Sequence, residues 1–174
     1  YLINIHNFKT KRLLNISILY GGFSTEHKIS IQTGLAVAEA INSKYNLDMI
    51  NLEANIQNIP QEMLDTDLVF IALHGGNGED GNIQTFLDLH QFPYTGSGAK
   101  ASRIAMDKNL TKLIAKSVNI PTPNWILVRT DQNLGIQILT QESPKFTYPY
   151  VVKPSNEGST FGLTILQNED GLEE

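Results

Sequence analysis

The sequence contains no cysteine, and its 174 residues include a single tryptophan. The absence of cysteine excludes disulfide bonds, thiol catalysis and zinc sites built from cysteine ligands. It is typical of a cytoplasmic protein, and we expect that location. The sequence also lacks any run of about 18 apolar residues, the length a membrane-spanning helix requires.

Positive charge is scarce as well. The chain has 13 lysine and arginine residues against 18 aspartate and glutamate residues, for a net charge of −5. Proteins that bind nucleic acid or anionic membranes present a basic surface, so we expect neither partner here. Hydrophobic residues make up 41% of the chain and charged residues 18%, which is typical of a globular protein of one or two domains.

Three short apolar segments in the first half of the chain predict buried strands. They are Asn15–Tyr20, Leu47–Leu52 and Leu68–Leu73. The third is apolar throughout, as expected for a parallel strand covered on both faces. Strands that alternate with helical segments predict an α/β fold with an open parallel sheet, and ligands bind at the carboxyl ends of such strands.

The segment between the first two strands predicts an amphipathic helix. Ser30 is suited to the N-cap position, because its hydroxyl can accept a hydrogen bond from a free amide of the first turn. Apolar residues then recur at helical spacing, and the predicted buried face consists of Ile31, Leu35, Ala38 and Ile41.

A change of pattern after YTGSG (Tyr94–Gly98) predicts a domain boundary. We expect an N-terminal extension over residues 1–14, a substrate domain over 15–96 and a second unit over 97–174.

The second unit has weaker signals. Two helices are predicted, over Ala101–Met106 and Asn109–Val118, and Pro121 and Pro123 end the second. Asn124–Val128 and Tyr150–Lys153 predict strands of an antiparallel sheet. The polar stretch between them predicts loop and helix.

The first of three chemically informative loops is GGFSTEH, residues 21–27, between a strand and a helix. Its glycines let the backbone approach a ligand, and the start of the helix favours anions. Glu26 could bind a substrate ammonium group. The alternative is that Glu26 only stabilises the helix start.

The second loop is HGGNGEDG, residues 74–81, which has four glycines in eight positions. Its histidine and two acids lack the spacing of a usual metal site, and Asp80 could simply cap the next helix. We therefore favour a loop that shapes a substrate site over one that binds a metal.

The third loop is KPSNEGSTFG, residues 153–162, which follows a predicted strand. A lysine can neutralise phosphate charge, while hydroxyl and amide groups donate hydrogen bonds to its oxygens. The pattern is not a P-loop, because Gly-x4-Gly-Lys-Ser/Thr is absent. The alternative is a β-hairpin with a surface lysine.

Together with ASRIAMDKNLTK and IPTP, these loops resemble the D-alanine–D-alanine ligases of the ATP-grasp class over about residues 15–166. The resemblance implies a parallel-sheet pre-ATP-grasp (Rossmann-like) domain followed by the α+β N-lobe of an ATP-grasp domain. It implies ligation of two D-alanines through an acyl phosphate, for peptidoglycan precursor synthesis. ATP and Mg²⁺ are the implied cofactors, and a homodimer through the first domain is the implied assembly.

The resemblance also assigns residues. Glu26 and Ser159 match the catalytic residues that place the first D-alanine, and His74 matches a histidine at the substrate end. The positions matching the ATP-phosphate site are Lys108 and Lys153, together with the loop residues Glu157, Gly158, Ser159 and Thr160.

Three positions depart from the family pattern. Lys28 stands where an acidic residue is usual, Gly76 where arginine is common, and Phe161 where a small aliphatic residue is usual. They lie beside the matched residues and not on them.

The resemblance implies that the metal ligands and the adenine site follow residue 174. We therefore expect both ends of the chain to be cuts and the fragment alone to be inactive. Three alternatives stay open: a ligase that joins D-alanine to D-lactate or D-serine, or another ATP-grasp ligase; a non-catalytic truncated remnant; and an α/β domain whose glycine loops are accidental.

Overall fold

A computed structural model of the chain describes residues 12–52, 63–131, 135–138 and 147–168. Most of the predicted N-terminal extension lies outside these residues. So does most of the stretch for which we predict loop and helix. No helix in the described ranges is both long enough and apolar enough to cross a lipid bilayer.

The first half of the chain forms a parallel sheet of three strands. They are β1 (Asn15–Tyr20), β2 (Asn46–Asn51) and β3 (Leu68–Ile71), in the order β2-β1-β3. Both neighbours pair with β1 in parallel. The predicted α/β fold with a parallel sheet is confirmed, and the predicted strand positions agree with the structure to within two residues.

The sheet is covered on both faces because β1 directs apolar side chains to each side. On one face, Leu19 and Val69 pack with two residues of helix α2 (Asn82–Leu89), Ile83 and Leu87. On the other face, Ile16, Ile18 and Ala72 pack against apolar residues of helix α1 (His27–Ile41).

Helix α1 begins at His27, so Ser30 lies inside its first turn and is not the N-cap we predicted. The buried face passes through Ser30 and Gly34. Gly34 lies so close to β1 that an added Cβ would be 2.7 Å from the Cβ of Tyr20. Leu35, which we placed on the buried face, is 55% exposed. The prediction counted only apolar side chains, whereas helix and strand approach most closely at small residues.

Beyond the sheet, the chain returns to β3 before the next helices. The Thr95 amide donates to the Val69 carbonyl at 3.0 Å, and Val69 forms a parallel bridge with Tyr94. Helix α3 (Ala99–Met106) then packs against α2. Helix α4 (Lys108–Ser117) follows after a single residue, Asp107, whose carboxylate caps it.

Two antiparallel hairpins complete the described structure. The first pairs β4 (Val128–Asp131) with β5 (Gly135–Ile138), and the second pairs β6 (Tyr150–Val152) with β7 (Thr164–Leu166). Our prediction of a strand over Asn124–Val128 is wrong in position, because β4 begins where that strand was to end. Strand β5 occupies part of the stretch predicted as loop and helix. The strand at Tyr150 is confirmed.

Candidate functional site

The first two glycine loops lie side by side at the carboxyl ends of β1 and β3. A single buried hydroxyl, that of Ser30, joins the two ends. It accepts a hydrogen bond from the Gly21 amide at 2.9 Å and donates one to the Ala72 carbonyl at 2.8 Å. The start of α1 is thereby fixed against both strand ends.

Further hydrogen bonds connect the two loops. The Ser24 hydroxyl donates to the His74 carbonyl at 2.5 Å and accepts from the Glu26 amide at 3.2 Å. The buried Gln84 side chain donates to the Gly78 carbonyl at 2.8 Å. The backbone of both loops is therefore held by side chains of the loops themselves and of α2.

The Glu26 carboxylate lies between glycines of the second and third loops. An added Cβ would be 3.2 Å from Glu26 Oε1 at Gly75 and 3.5 Å from it at Gly158. Glu26 occupies the N-cap position of α1, and its side chain makes no capping hydrogen bond, so the alternative role left open would act through its charge alone. Ser159 follows Gly158 directly, so the structure brings Glu26 close to the loop that contains Ser159. No hydrogen bond joins these two described side chains.

These loops enclose a cleft of about 530 Å³. Its walls come from all three chemically informative loops and from α2, and they include Phe23, Ser24, His74, Asn77, Phe86 and Glu157. The mixture of apolar walls and a few polar groups suits a small polar ligand.

Lys108 attaches the third loop to the start of α4. Its amide donates to the Ser155 carbonyl at 3.1 Å, and its ammonium group donates to the same carbonyl at 3.2 Å. The ammonium group also donates to the Glu157 carbonyl. Burial lowers the pKa of Lys108, and the positive charge of Lys153 lowers it further, against the opposing effects of Glu157 and Asp107.

A second lysine of α4, Lys112, was missed by the sequence analysis. Burial and then the charge of Lys153 lower its pKa. Its ammonium group donates to the Pro123 carbonyl at 2.7 Å and lies 5.2 Å from the ring centroid of Trp125. The spacing could have revealed it, because residues four apart share one face of a helix.

Lys153 is therefore within electrostatic range of two other lysines. Like charges repel, so the effect of Lys153 on Lys108 and Lys112 is unfavourable unless an anion offsets part of the charge. Phosphate, with several acceptor oxygens and a high negative charge, meets this requirement.

The third loop has an unusual backbone. Ser159 and Thr160 adopt φ angles of 46° and 59°, in the left-handed region that residues other than glycine rarely occupy. The Phe161 amide donates to the Gly158 carbonyl at 3.0 Å, and the Thr160 hydroxyl donates to the Ser159 carbonyl at 2.6 Å. Both hydroxyl-bearing residues are exposed. Such conformations are found at ligand clamps and switch regions.

The acids of the second loop have structural partners. The Asp80 carboxylate accepts from the Asn82 amide at 2.9 Å, at the start of α2. Glu79 Oε1 lies 3.9 Å from His74 Nδ1. Within the described ranges, no three histidine, aspartate or glutamate side chains are arranged to hold a metal ion.

Comparison with known families gives two matches. Residues 51–97 match the model described as D-ala D-ala ligase N-terminus. Residues 114–174 match the model described as D-ala D-ala ligase C-terminus. Together these matches span more than half of the chain.

Individual relatives agree with these matches. A D-alanine–D-alanine ligase of Marinomonas sp. (strain MWYL1) is 40% identical over 171 residues, with 95% of this chain and 52% of the relative covered. A D-alanine–D-alanine ligase from the Wolbachia of Brugia malayi is 43% identical over 174 residues, and the match covers 98% of this chain and 49% of the relative. The crystal structure of the Bacillus anthracis D-alanine–D-alanine ligase complexed with ATP is 31% identical, with a TM-score of 0.74. The structural match covers 93% of this chain and 51% of the Bacillus anthracis chain. The chain thus spans about half the length of the relatives it matches.

Proposed function

This chain belongs to the D-alanine–D-alanine ligase family, and we propose that the complete protein uses ATP to join two D-alanine molecules into D-alanyl-D-alanine for peptidoglycan synthesis. The strongest support is the position of the Glu26 carboxylate between Gly75 and Gly158. That position puts a carboxylate beside two glycine loops that contribute residues to the wall of the cleft.

At the amino-acid end of the cleft, Glu26 would bind the ammonium group of the first D-alanine. A carboxylate accepts charge-assisted hydrogen bonds from an ammonium group, which are stronger than neutral ones. Ser159 would orient that carboxylate or the substrate through its hydroxyl. His74, which lines the cleft, would complete the wall at this end.

At the nucleotide end, Lys108 and Lys153 would hold the phosphates of ATP. Phosphoryl transfer depends mainly on positioning and on neutralising the charge of the transferring group. The backbone amides of Glu157, Gly158 and Thr160 and the Ser159 hydroxyl would add donors around the phosphates. Mg²⁺ would supply further positive charge there, bound mainly by phosphate oxygens.

The remaining proposals concern organisation. We propose a substrate domain over 15–96, the first lobe of the ATP-binding domain over 97–174, and a homodimer formed through the substrate domain. We also propose that the protein acts in the cytoplasm. Limited proteolysis near Gly96 would test the boundary, and sedimentation of a truncated substrate domain would test the dimer.

The experiment that tests the function measures D-alanine-dependent ADP release and dipeptide formation by the complete protein. Lys153→Ala should raise the KM for ATP by roughly tenfold or more, because a charge-assisted contact contributes about 1.5–3 kcal/mol. The KM for D-alanine should change far less. Lys44→Ala, which removes an exposed lysine after α1, is the matched control. Unchanged ATP kinetics in Lys153→Ala would contradict the assignment.

Two companion measurements address the alternatives. The isolated 174-residue chain should release no ADP in response to D-alanine, because we expect the metal ligands of the family to follow residue 174. Turnover by this chain would refute that expectation. Offering D-lactate and D-serine as second substrates to the complete protein distinguishes the related ligases.

A further inference from the structure

His74 is held at both its backbone and its ring. The Ser24 hydroxyl donates to its carbonyl at 2.5 Å. Ring atom Nε2 lies 2.9 Å from Oγ1 of Thr33, a residue of α1. Ring atom Nδ1 lies 3.9 Å from Glu79 Oε1, which is beyond hydrogen-bond distance but close enough for attraction.

The chemistry of the two neighbours distinguishes the two ring nitrogens. A neutral imidazole has one N–H donor and one acceptor nitrogen, and a carboxylate oxygen can only accept. The favourable arrangement puts the proton on Nδ1, towards Glu79, and leaves Nε2 to accept from the Thr33 hydroxyl. The opposite tautomer would direct a lone pair at the carboxylate.

The orientation of the ring therefore depends on Thr33. Among the described residues, the Thr33 hydroxyl has no hydrogen-bonding partner other than His74, so it is not committed to the helix backbone. Thr33 also belongs to the helix whose start is fixed by the buried Ser30 hydroxyl. Its position is thus set by the same hydrogen bonds that shape the cleft.

We infer that Thr33 is a positioning residue, which fixes the His74 ring in the Nδ1–H tautomer facing Glu79 and so prepares the amino-acid end of the cleft. This inference rests on the proposed function, in which His74 lines the substrate end. Thr33 itself does not line the cleft, and its effect on substrate passes through the histidine.

Nitrogen NMR of the complete protein, labelled with ¹⁵N in its histidine rings, tests the tautomer directly. The His74→Gln variant identifies the His74 signals. The wild type should show a protonated Nδ1 and an acceptor Nε2. A wild-type spectrum with the proton on Nε2 would overturn the inference without any further variant.

Two substitutions separate the hydroxyl from the packing of the side chain. Thr33→Val keeps the shape and removes the hydroxyl, and Thr33→Ser keeps the hydroxyl. In Thr33→Val the two ring ¹⁵N shifts should move towards each other, as in a mixture of tautomers, whereas Thr33→Ser should retain the wild-type shifts. Unchanged shifts in Thr33→Val would overturn the inference.

Kinetics then connects the ring to the substrate. Thr33→Val should raise the KM for D-alanine by roughly three- to tenfold, the effect of one lost hydrogen bond, with kcat within about twofold. Thr33→Ser should restore the KM. Thr111→Val is the matched control, because its hydroxyl donates to the Ile104 carbonyl of another helix, away from His74.

The outcomes distinguish the inference from the function on which it rests. If His74→Gln leaves the KM for D-alanine unchanged while Thr33→Val still alters the ring shifts, the substrate role of His74 is wrong and the positioning of the ring stands. If His74→Gln raises the KM but Thr33→Val changes neither shifts nor KM, the role of Thr33 is wrong and the proposed function stands.

Discussion

The first two glycine loops and the third loop face the same cleft, but they are attached to the fold in opposite ways. The loops after β1 and β3 are held by the buried side chains Ser30 and Gln84 and by the half-buried Ser24. The third loop is held chiefly by Lys108, whose ammonium group donates to backbone carbonyls. Its residues Ser159 and Thr160 are exposed.

The difference suits the two proposed ligands. A small amino acid is recognised by a few groups, so a site built in advance reduces the cost of ordering on binding. A nucleotide phosphate must enter and leave, and loops that cover such ligands belong to the less stable parts of a structure. The same comparison predicts that equivalent substitutions will have unequal effects in the two regions.

The largest difference is expected between two glycines with positive φ. Gly81, at φ 89°, approaches helix α3 so closely that an added Cβ would lie 2.4 Å from the Ala99 carbonyl oxygen. Gly162, at φ 66°, would place its Cβ 2.9 Å from a ring carbon of Pro154 in the exposed loop. Gly81→Ala combines backbone strain with a clash against main chain, whereas Gly162→Ala meets one side chain that can shift with its loop.

We expect Gly81→Ala to lower the free energy of unfolding by roughly 3 kcal/mol or more, and Gly162→Ala by about 1–2 kcal/mol. Urea unfolding of the complete protein measures both. Gly96→Ala, at a positive-φ glycine with open space around it, isolates the strain alone. Equal losses for Gly81→Ala and Gly162→Ala would show that the two loops are equally constrained.

The next largest effect is expected from the negative charge of Glu26, in the first glycine loop. Glu26→Gln keeps the size of the side chain and removes its negative charge, so the D-alanine ammonium group loses a charge-assisted contact. This change should lower kcat/KM for the first D-alanine by about 10- to 150-fold. Steady-state kinetics of the complete protein measures it, with Glu39→Gln on the exposed face of α1 as the control. A loss of less than about threefold would remove Glu26 from the binding site.

A smaller contrast is expected between two serines. Ser30→Ala removes a buried hydroxyl that serves the Gly21 amide and the Ala72 carbonyl, and should cost about 1–3 kcal/mol of stability. Ser159→Ala, at an exposed position, should change stability by no more than about 0.5 kcal/mol. Thermal unfolding compares the two. A stability loss in Ser159→Ala as large as that in Ser30→Ala would mean that the third loop also contributes to the core.

The sequence predicted the parallel sheet because its signals are local. A run such as Leu68–Leu73 is apolar at every position, and its short length favours a strand covered on both faces over a buried helix. The glycine loops were found for a similar reason, since glycine beside charged residues at a strand end is informative without any knowledge of distant contacts.

The features of the fold and the site that the sequence did not predict depend on contacts between residues far apart in sequence. Ser30 is of a residue type preferred at the N-cap and precedes an apolar helical pattern, yet its hydroxyl joins two strand ends. The roles of Thr33 and Lys112 likewise depend on where His74 and Lys153 lie in space. Strand β5 is a segment of only four residues that pairs with β4, and that pairing is not evident from so short a segment alone.

The smallest expected effect is a change of proton affinity in the lysine cluster. Burial comes first and the charge of Lys153 second among the causes that lower the pKa of Lys108 from its usual 10.5. Lys153→Ala removes the second cause only. The pKa of Lys108 should therefore rise, because burial, Glu157 and Asp107 keep their effects and the lowering by Lys153 is lost. The pKa of Lys112, which burial and Lys153 also lower, should rise with it.

The sign of the pH dependence follows from this direction. With a folded pKa below 10.5, Lys108 loses its proton in the folded state before it does in the unfolded chain. Between the two pKa values the unfolded state binds more protons, so the contribution of Lys108 to stability improves as pH rises through that window. Lys153→Ala narrows the pH range between the folded and unfolded pKa values of Lys108, so the gain in stability across that range should be smaller. Carbon NMR titration of the lysine side chains measures both pKa values, with Lys44→Ala as the control. If Lys108 and Lys112 titrate as in the wild type, the charge of Lys153 does not act on them, and the electrostatic argument for placing the three lysines at one phosphate fails.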